Sequence, residues 1–382
     1  MSSRTPSSSP SDAAATGAAA GLFLVCWGLV HRFFWAHGQL VDWPVYRAYG
    51  DFMVHHGLVP YRDFAVEYPP GALPVFALPS LLGDYASSFA WLMAACGVAL
   101  VAVVASIRRE AAFYVALAPV LAGSLILSRF DLWPALLTVA ALAALLREHH
   151  RLGWALLAAA VAAKLWPLVL VPLALVWSYR HGRPWAPLTG LIVALVAFAP
   201  FAVVAPHGLW SSLSGQASRP LQIESLGAAI ATTFGHPRVV TTHGSQNLVG
   251  HGGVASAFAV LQVATLGALW IAFARGPSTR ERFLRYAAAC VCAFIVFGRV
   301  LSPQFLLWLI PLVPLVRGRR GLTATVLLTA ALVLTQVWFP QRYFDYVDSF
   351  HLAWVVLLRD LVLVALLGVL AWPPRRAASQ NV

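Results

Sequence analysis

The stretch Arg147–Arg180, REHHRLGWALLAAAVAAKLWPLVLVPLALVWSYR, begins and ends on arginine and holds two apolar runs that meet at Lys164. Apolar runs with basic ends read as a helical hairpin that enters a membrane from its arginine-rich side and returns there. The two runs, at about 152–163 and 166–179, fall short of the roughly 20 residues that cross a bilayer. Their apex therefore stops at membrane depth, where irregular backbone survives only beside protein or in a water-filled cavity.

The same grammar extends along the chain. Of 382 residues, 60% are hydrophobic and only 10% charged, with a mean hydropathy of +0.76, which is the composition of a polytopic all-α membrane protein. A net charge of +12 would imply nucleic acid in a soluble chain, but the arginines sit in short loops between apolar runs. Arg108 and Arg109, Arg147 and Arg151, Arg180 and Arg183, Arg275 to Arg285, Arg317 to Arg320, and Arg375 and Arg376 read as cytoplasmic anchors, and no nucleic-acid partner is expected.

With those loops inside, helices fall at about 14–36, 87–107, 111–128, 132–147, 152–163, 166–179, 186–205, 254–275, 282–298, 304–316, 321–338 and 351–371, roughly twelve spans with both termini cytoplasmic. The expected organisation is a Ser- and Pro-rich tail over 1–13, a single integral-membrane domain over 14–372, and a second cytoplasmic tail over 373–382. The first apolar helix lacks a basic leader and a cleavage site after its core, so it reads as an uncleaved anchor. Cys26, Cys96, Cys290 and Cys292 fall inside spans and form neither a disulfide framework nor a metal motif. With no Walker A loop, dinucleotide fingerprint or HExxH, ATP-driven transport by this chain is not expected.

The outward segments are the long first loop 37–86, the turns Ser128–Leu132 and around Lys164, the second loop 206–252, and the turns Gly298–Gln304 and Phe339–Phe350. The first loop gathers Asp42, Arg47, Asp51, His55, His56, Arg62, Asp63 and Glu67 among aromatic residues, chemistry that is costly beside a membrane without a use for it. Asp42 is the leading carboxylate. It has two readings: a general base at a cavity mouth, or the N-cap of a helix that starts at Trp43 and Pro44. Asp63 and Glu67 read as a loop ion pair and a turn acceptor, or as groups supporting acceptor binding.

Lys164 is the only lysine in the chain, and at its apex it either snorkels to water or meets an anion. Arg129 and Asp131 either cap the junction of two helices or touch substrate. Arg299 is followed by Ser302, Pro303 and Gln304, where the proline breaks the helix and frees backbone groups for a ligand. Four cations, Arg62, Arg129, Lys164 and Arg299, are expected to converge at the outer boundary, at the depth of a lipid-linked phosphate. His207, His236, His243 and His251 match no metal spacing and read as loop residues. The adjacent Arg359 and Asp360 in the last span point in different directions, and each is expected to pair with another helix.

The segments DWPVYRAYG from Asp42, GLVPYRDFAVEYPPG from Gly57, SRFDLWP from Ser128, AAKLWP from Ala162 and GRVLSPQFLLW from Gly298 together resemble polyprenyl-phosphate-sugar-dependent glycosyltransferases of the GT-C fold. The resemblance is greatest to glycosyltransferase family 87, bacterial mannosyltransferases and their relatives. It implies a catalytic aspartate in the first outer loop, matched by Asp42, and inverting transfer of a sugar to a glycolipid or cell-envelope glycan acceptor outside the membrane. It further implies a polyprenyl-phosphate-linked donor, with mannose the family default. Arg129, Lys164 and Arg299 are then the candidates to neutralise the leaving phosphate. Related transferases often place a second acid beside the first, where this chain has Trp43, so no metal and no other cofactor is expected. Two rivals remain: a flippase for a lipid-linked sugar, against which stands the lack of pseudo-repeats, and a noncatalytic membrane subunit.

Overall fold

The structure is a computed structural model that describes residues 10–34 and 42–372, so residues 1–9 of the first expected tail, the whole second tail over 373–382, and residues 35–41 at the end of the first expected helix and the start of the first loop lie outside the described residues. Helix α1 (Pro10–Phe34) carries Asp12 in its first turn, where it pairs with Arg109. The first loop then folds into α2 (Trp43–Val54), a 3-10 turn at Pro70–Ala72 and α3 (Leu73–Ser80). The two short helices sit so close that Gly50 lies against the Phe76 carbonyl, and Ser80 Oγ donates to Asp51 at 3.0 Å.

Helix α4 (Tyr85–Ile107) starts at Asp84, whose carboxylate accepts from Ser87 N at 3.0 Å as an N-cap. The run expected as one helix over 111–128 is broken into α5 (Arg109–Ala116), α6 (Ala118–Ala122) and α7 (Leu125–Ser128). Pro119 starts α6, and Gly123, at φ 59°, ends it, a conformation that favours glycine. Gln336 from a later helix mends the break, donating to the Leu121 carbonyl at 3.3 Å.

Helix α8 (Leu132–Leu146) precedes the hairpin read from the sequence, which is made of α9 (His150–Ala163), a 3-10 turn at Trp166–Leu170 and α10 (Val171–Arg180). At about 1.5 Å per residue, α8 and α9 span little over 20 Å, less than the roughly 30 Å of a hydrocarbon core. Helix α11 (Pro187–Val204) follows. The expected second loop is ordered: it holds α12 (Pro206–Ala217), α13 (Leu226–Phe234) and a hairpin of β1 (Val239–Thr242) with β2 (Ser245–Leu248). Its turn residues His243 and Gly244 both have positive φ, as the favoured two-residue turn requires.

The chain ends with α14 (Gly252–Arg275), α15 (Arg280–Val296), α16 (Leu306–Leu309) between 3-10 turns at Pro303–Phe305 and Val313–Leu315, α17 (Gly318–Trp338), α18 (Tyr343–Ser349) and α19 (Ala353–Ala371). Among the described residues, six helices are long and apolar enough to cross a membrane: those at α1, α4, α11, α14, α17 and α19. Four more apolar segments, at α8, α9, Trp166–Arg180 and Pro303–Leu315, are shorter. The fold is that of a polytopic helical membrane protein, with six full-length candidate spans where the sequence reading expects about twelve.

Helices α8 and α15 are buried nearly all round and form the core. Helix α11 has the opposite character, with Leu188, Leu191, Ile192, Leu195 and Val196 all exposed, an apolar surface suited to lipid rather than water. At the arginine-rich end, Arg108 ends α4 and donates to the carbonyls of Pro314 and Val316 at 2.8 and 2.7 Å, satisfying acceptors that a helix end leaves open. Arg108→Ala should cost about 2 kcal/mol, read as a lower Tm of the detergent-solubilised protein; an unchanged Tm would show that those carbonyls find water instead.

Candidate active site

Asp42 occupies the N-cap position of α2, and its carbonyl accepts from Val45 N at 3.0 Å. Its carboxylate makes no capping bond. It pairs instead with Arg129 and accepts a long 3.4 Å hydrogen bond from the Tyr46 hydroxyl. The N-cap reading therefore accounts for the backbone of Asp42 and not for its side chain.

Arg129 lies on extended backbone between α7 and α8, and its side chain is 9% exposed against 31% for Asp42. Arg129 holds the C-cap position of α7 and Asp131 the N-cap position of α8, but the Asp131 carboxylate makes no capping bond and the two side chains pair with other residues instead of each other. Asp131 is fully buried; its Oδ1 accepts from Lys164 Nζ at 2.7 Å and from Trp308 Nε1 at 2.6 Å. Lys164 does not snorkel. Its ammonium lies 4.8 Å from the Phe130 ring centroid, 5.4 Å from Trp308, 5.8 Å from Phe305 and 5.9 Å from Tyr68, an aromatic box around a cation.

The local sequence explains this meeting. Asp131 and Lys164 each precede the same tripeptide, Leu-Trp-Pro. In both places the proline stands in the first turn of a helical segment, where its missing N–H costs nothing. Two matching interruptions of neighbouring helices thus bring an acid and a base to one point. Tyr46, stacked on Phe76 at 4.6 Å and edge-on to Phe130 at 5.5 Å, ties α2 to the same aromatic wall.

The other expected cation positions differ. Arg62 does not join Arg129 and Lys164: its guanidinium forks onto Asp63 through Nε and Nη2, each at 2.9 Å. Asp63 also accepts from Val59 N at 2.8 Å, and the Arg62 bonds lead in holding its carboxyl down to about 2. The Arg299 carbonyl accepts from Gln222 N at 3.0 Å. Ser302 Oγ accepts from Gln222 Nε2 and Gln222 Oε1 accepts from Leu301 N, both at 2.9 Å. The backbone freed by Pro303 is thus engaged by a segment of the chain itself, and Gln304 lies half-buried in the adjoining 3-10 turn.

A cavity of about 540 Å³ opens beside this cluster, lined by Tyr61, Arg62, Asp63, Phe64, Glu67, Ser211, Gln216, Arg219 and His243 among others. Neither Asp42 nor Lys164 lines it. Its wall backs onto the ion-pair cluster, because the Tyr61 hydroxyl donates to the Tyr68 carbonyl at 2.6 Å while the Tyr68 ring faces Lys164. The cluster gathers the buried charge, and the cavity beside it offers space for a ligand.

Two charged residues not singled out by the sequence reading belong here. Arg219 lines the cavity, donates to the His243 carbonyl at 2.6 Å and acts electrostatically on Lys164. Glu224 is 2% exposed, and burial pushes its carboxyl up to about 7, against the pull of Arg359, Arg129 and Arg219. The one signal available was the polar run RPLQIES, Arg219–Ser225, between apolar segments. Correcting the expected partners, Arg359 and Asp360 pair with each other at 2.6 Å; Arg359 also donates to the Glu224 carbonyl at 2.8 Å.

No curated protein matches the sequence. Among solved structures, the fold is similar to the crystal structure of ArnT from Cupriavidus metallidurans bound to undecaprenyl phosphate, with a TM-score of 0.50 and 15% identity over 92% of this chain and 76% of that one. The model of glycosyltransferase family 87 matches residues 66–303. That region contains Arg129, Asp131, Lys164, Arg299 and Ser302 and begins after Asp42 and Arg62. A match over more than half of the chain, on a polytopic helical fold, makes this protein a membrane glycosyltransferase that belongs to glycosyltransferase family 87.

Proposed function

We propose that the chain is an inverting glycosyltransferase that moves a sugar, mannose first among candidates, from a polyprenyl-phosphate donor to a hydroxyl of a glycolipid or cell-envelope glycan on the outer face of the membrane. The observation that carries the reading is the joining of Asp42 to Arg129 next to the buried Lys164–Asp131 pair. A carboxylate and two cations adjoin one another, and ArnT, of similar fold, has been captured with undecaprenyl phosphate. An orientation with the arginine-rich loops in the cytoplasm supports a site on the outer face.

In the proposed reaction the acceptor enters through the 540 Å³ cavity, where Glu67, Gln216 and Arg219 offer planar polar groups to hydroxyls. Asp42 takes the proton from the acceptor hydroxyl as its oxygen attacks C1 of the sugar. The bond from C1 to the phosphate oxygen breaks with inversion, and the polyprenyl phosphate leaves with the electron pair. Charge grows on that oxygen, and Arg129 and Lys164 lie near enough to receive it. Asp131 and Trp308 fix the lysine in advance, so little reorganisation accompanies the step. Arg299 and Ser302 support the same site through the Gln222 bonds. The expectation that no metal takes part rests on Trp43 standing beside Asp42 where a second carboxylate ligand would be needed.

Purified protein assayed with several polyprenyl-phosphate sugars should consume one of them. Asp42→Asn should lower turnover by about 100-fold or more while donor binding persists, whereas normal transfer by this variant would rule out Asp42 as the base, and donor translocation without transfer would favour a flippase.

Lys164→Met should lower kcat by about 100-fold, and it should also destabilise the fold by leaving Asp131 charged and buried. The double variant Lys164→Met, Asp131→Leu should regain stability, read as Tm, without regaining activity. Recovery of activity in the double variant would reduce the pair to a structural role.

A further inference from the structure

Residues 219–225 form a strap across the site, held from several sides. Ile223 N donates to the Gln246 carbonyl at 3.0 Å and Leu248 N to the Leu221 carbonyl at 2.9 Å, so the strap lies along the β-hairpin. The Tyr346 hydroxyl donates to the Ile223 carbonyl at 2.6 Å. Gln222 pins the strap to residues 299–302. The remaining tie comes from α19, where the fully buried Arg359, 5.6 Å from the Trp338 ring centroid, donates to the Glu224 carbonyl.

An arginine and an aspartate inside an apolar helix are costly, and their pairing on one helix satisfies charge without explaining why the charge is there. The outcome of the arrangement is the placement of Glu224. Its Oε2 is buried without a hydrogen-bond partner, and so is Arg129 Nε, while the two side chains act electrostatically on each other. We propose that Glu224 is a positioning residue for Arg129, presented by a strap that Arg359 anchors, and that its anion competes with the donor phosphate for Arg129. This rests on the assignment of Arg129 to the leaving phosphate.

The consequence is a division of labour. When the acceptor hydroxyl displaces Arg129 from Asp42, the guanidinium keeps a counter-charge in Glu224 and stays in place. While Glu224 is ionised, the phosphate must outcompete it; once Glu224 is protonated, Arg129 is open to the donor. A sugar–phosphate–polyprenyl diester has no proton that titrates near neutrality, so the donor adds no pH dependence of its own. The groups facing Glu224 are Arg129 from the α7–α8 junction, Arg219 on the strap, Tyr343 and Tyr346 on α18, and Arg359 and Asp360 on α19. Burial pushes both phenols up, out of this range.

The test measures donor KM with polyprenyl-phosphate mannose, or with whichever other polyprenyl-phosphate sugar wild type consumes in its place, and Tm in detergent, from pH 6 to pH 8. Wild-type KM should rise about tenfold over that range, the inverse of the fall in the protonated fraction of a group titrating near 7. The Glu224 carboxyl titrates higher folded than its ordinary 4.5, so its contribution to stability is present at low pH and is lost as pH rises toward about 7. Glu224→Gln should flatten both the KM and the Tm dependence, and Glu224→Asp should restore the slope of KM. Arg359→Lys, which keeps the charge and loses the forked donor, should lower kcat and reduce the KM slope. A wild-type KM independent of pH, or a Glu224→Gln variant with an unaltered slope, overturns the proposal. If wild type turns over no donor, the glycosyl-transfer reading falls and the competition for donor falls with it. The Tm comparison then still decides whether Glu224 titrates against its neighbours.

Discussion

The buried ion pair between Lys164 and Asp131 is the constraint around which the site is built. Neither charge is tolerable alone at that depth, and their attraction offsets the desolvation only because the geometry is close and further groups join in. The Trp308 indole supplies a second donor to the carboxylate, and four aromatic rings surround the ammonium. Those partners come from the first loop, the α7–α8 and α9–α10 junctions, and α16 with the turn before it. Satisfying one pair of charges therefore fixes four distant parts of the chain against one another.

Short helices make room for this centre. Helices α8 and α9 stop well before a bilayer's thickness is spanned, and the 3-10 turn after Lys164 carries the chain back. Above the ends of the short helices the second loop is not slack chain. It contributes α12 to the cavity wall, a hairpin with a tight two-residue turn, and the strap that brings Arg219 and Glu224 in beside Lys164 and Arg129.

Arg359 shows how a charge deep in a helix serves a site it does not touch. Its guanidinium is balanced by the neighbouring Asp360, which leaves a donor free to grip the Glu224 carbonyl across the bundle. A neutral side chain would have filled the space, but would not have offered a directional bond to a peptide group removed from water.

The sequence by itself determined the class of the protein and the outline of its fold. Helical segments lie where apolar runs were expected, because apolar run length and arginine-rich ends are local properties that a membrane enforces, but among the described residues only six are long enough to cross a bilayer. It also singled out Asp42, Arg129, Asp131 and Lys164, since ionisable residues at interrupted apolar helices are conspicuous. The pairing among them was not legible. Spacing along the chain sets neither which acid meets which base nor whether an N-cap aspartate turns its carboxylate inward, as Asp42 does toward Arg129. The break of α5–α7, the order in the second loop, and the roles of Arg219 and Glu224 likewise belong to tertiary structure. Long-range Coulomb and hydrogen-bond partners are chosen by which segments pack together, and removal from water at that packed interface is what gives those charges their strength.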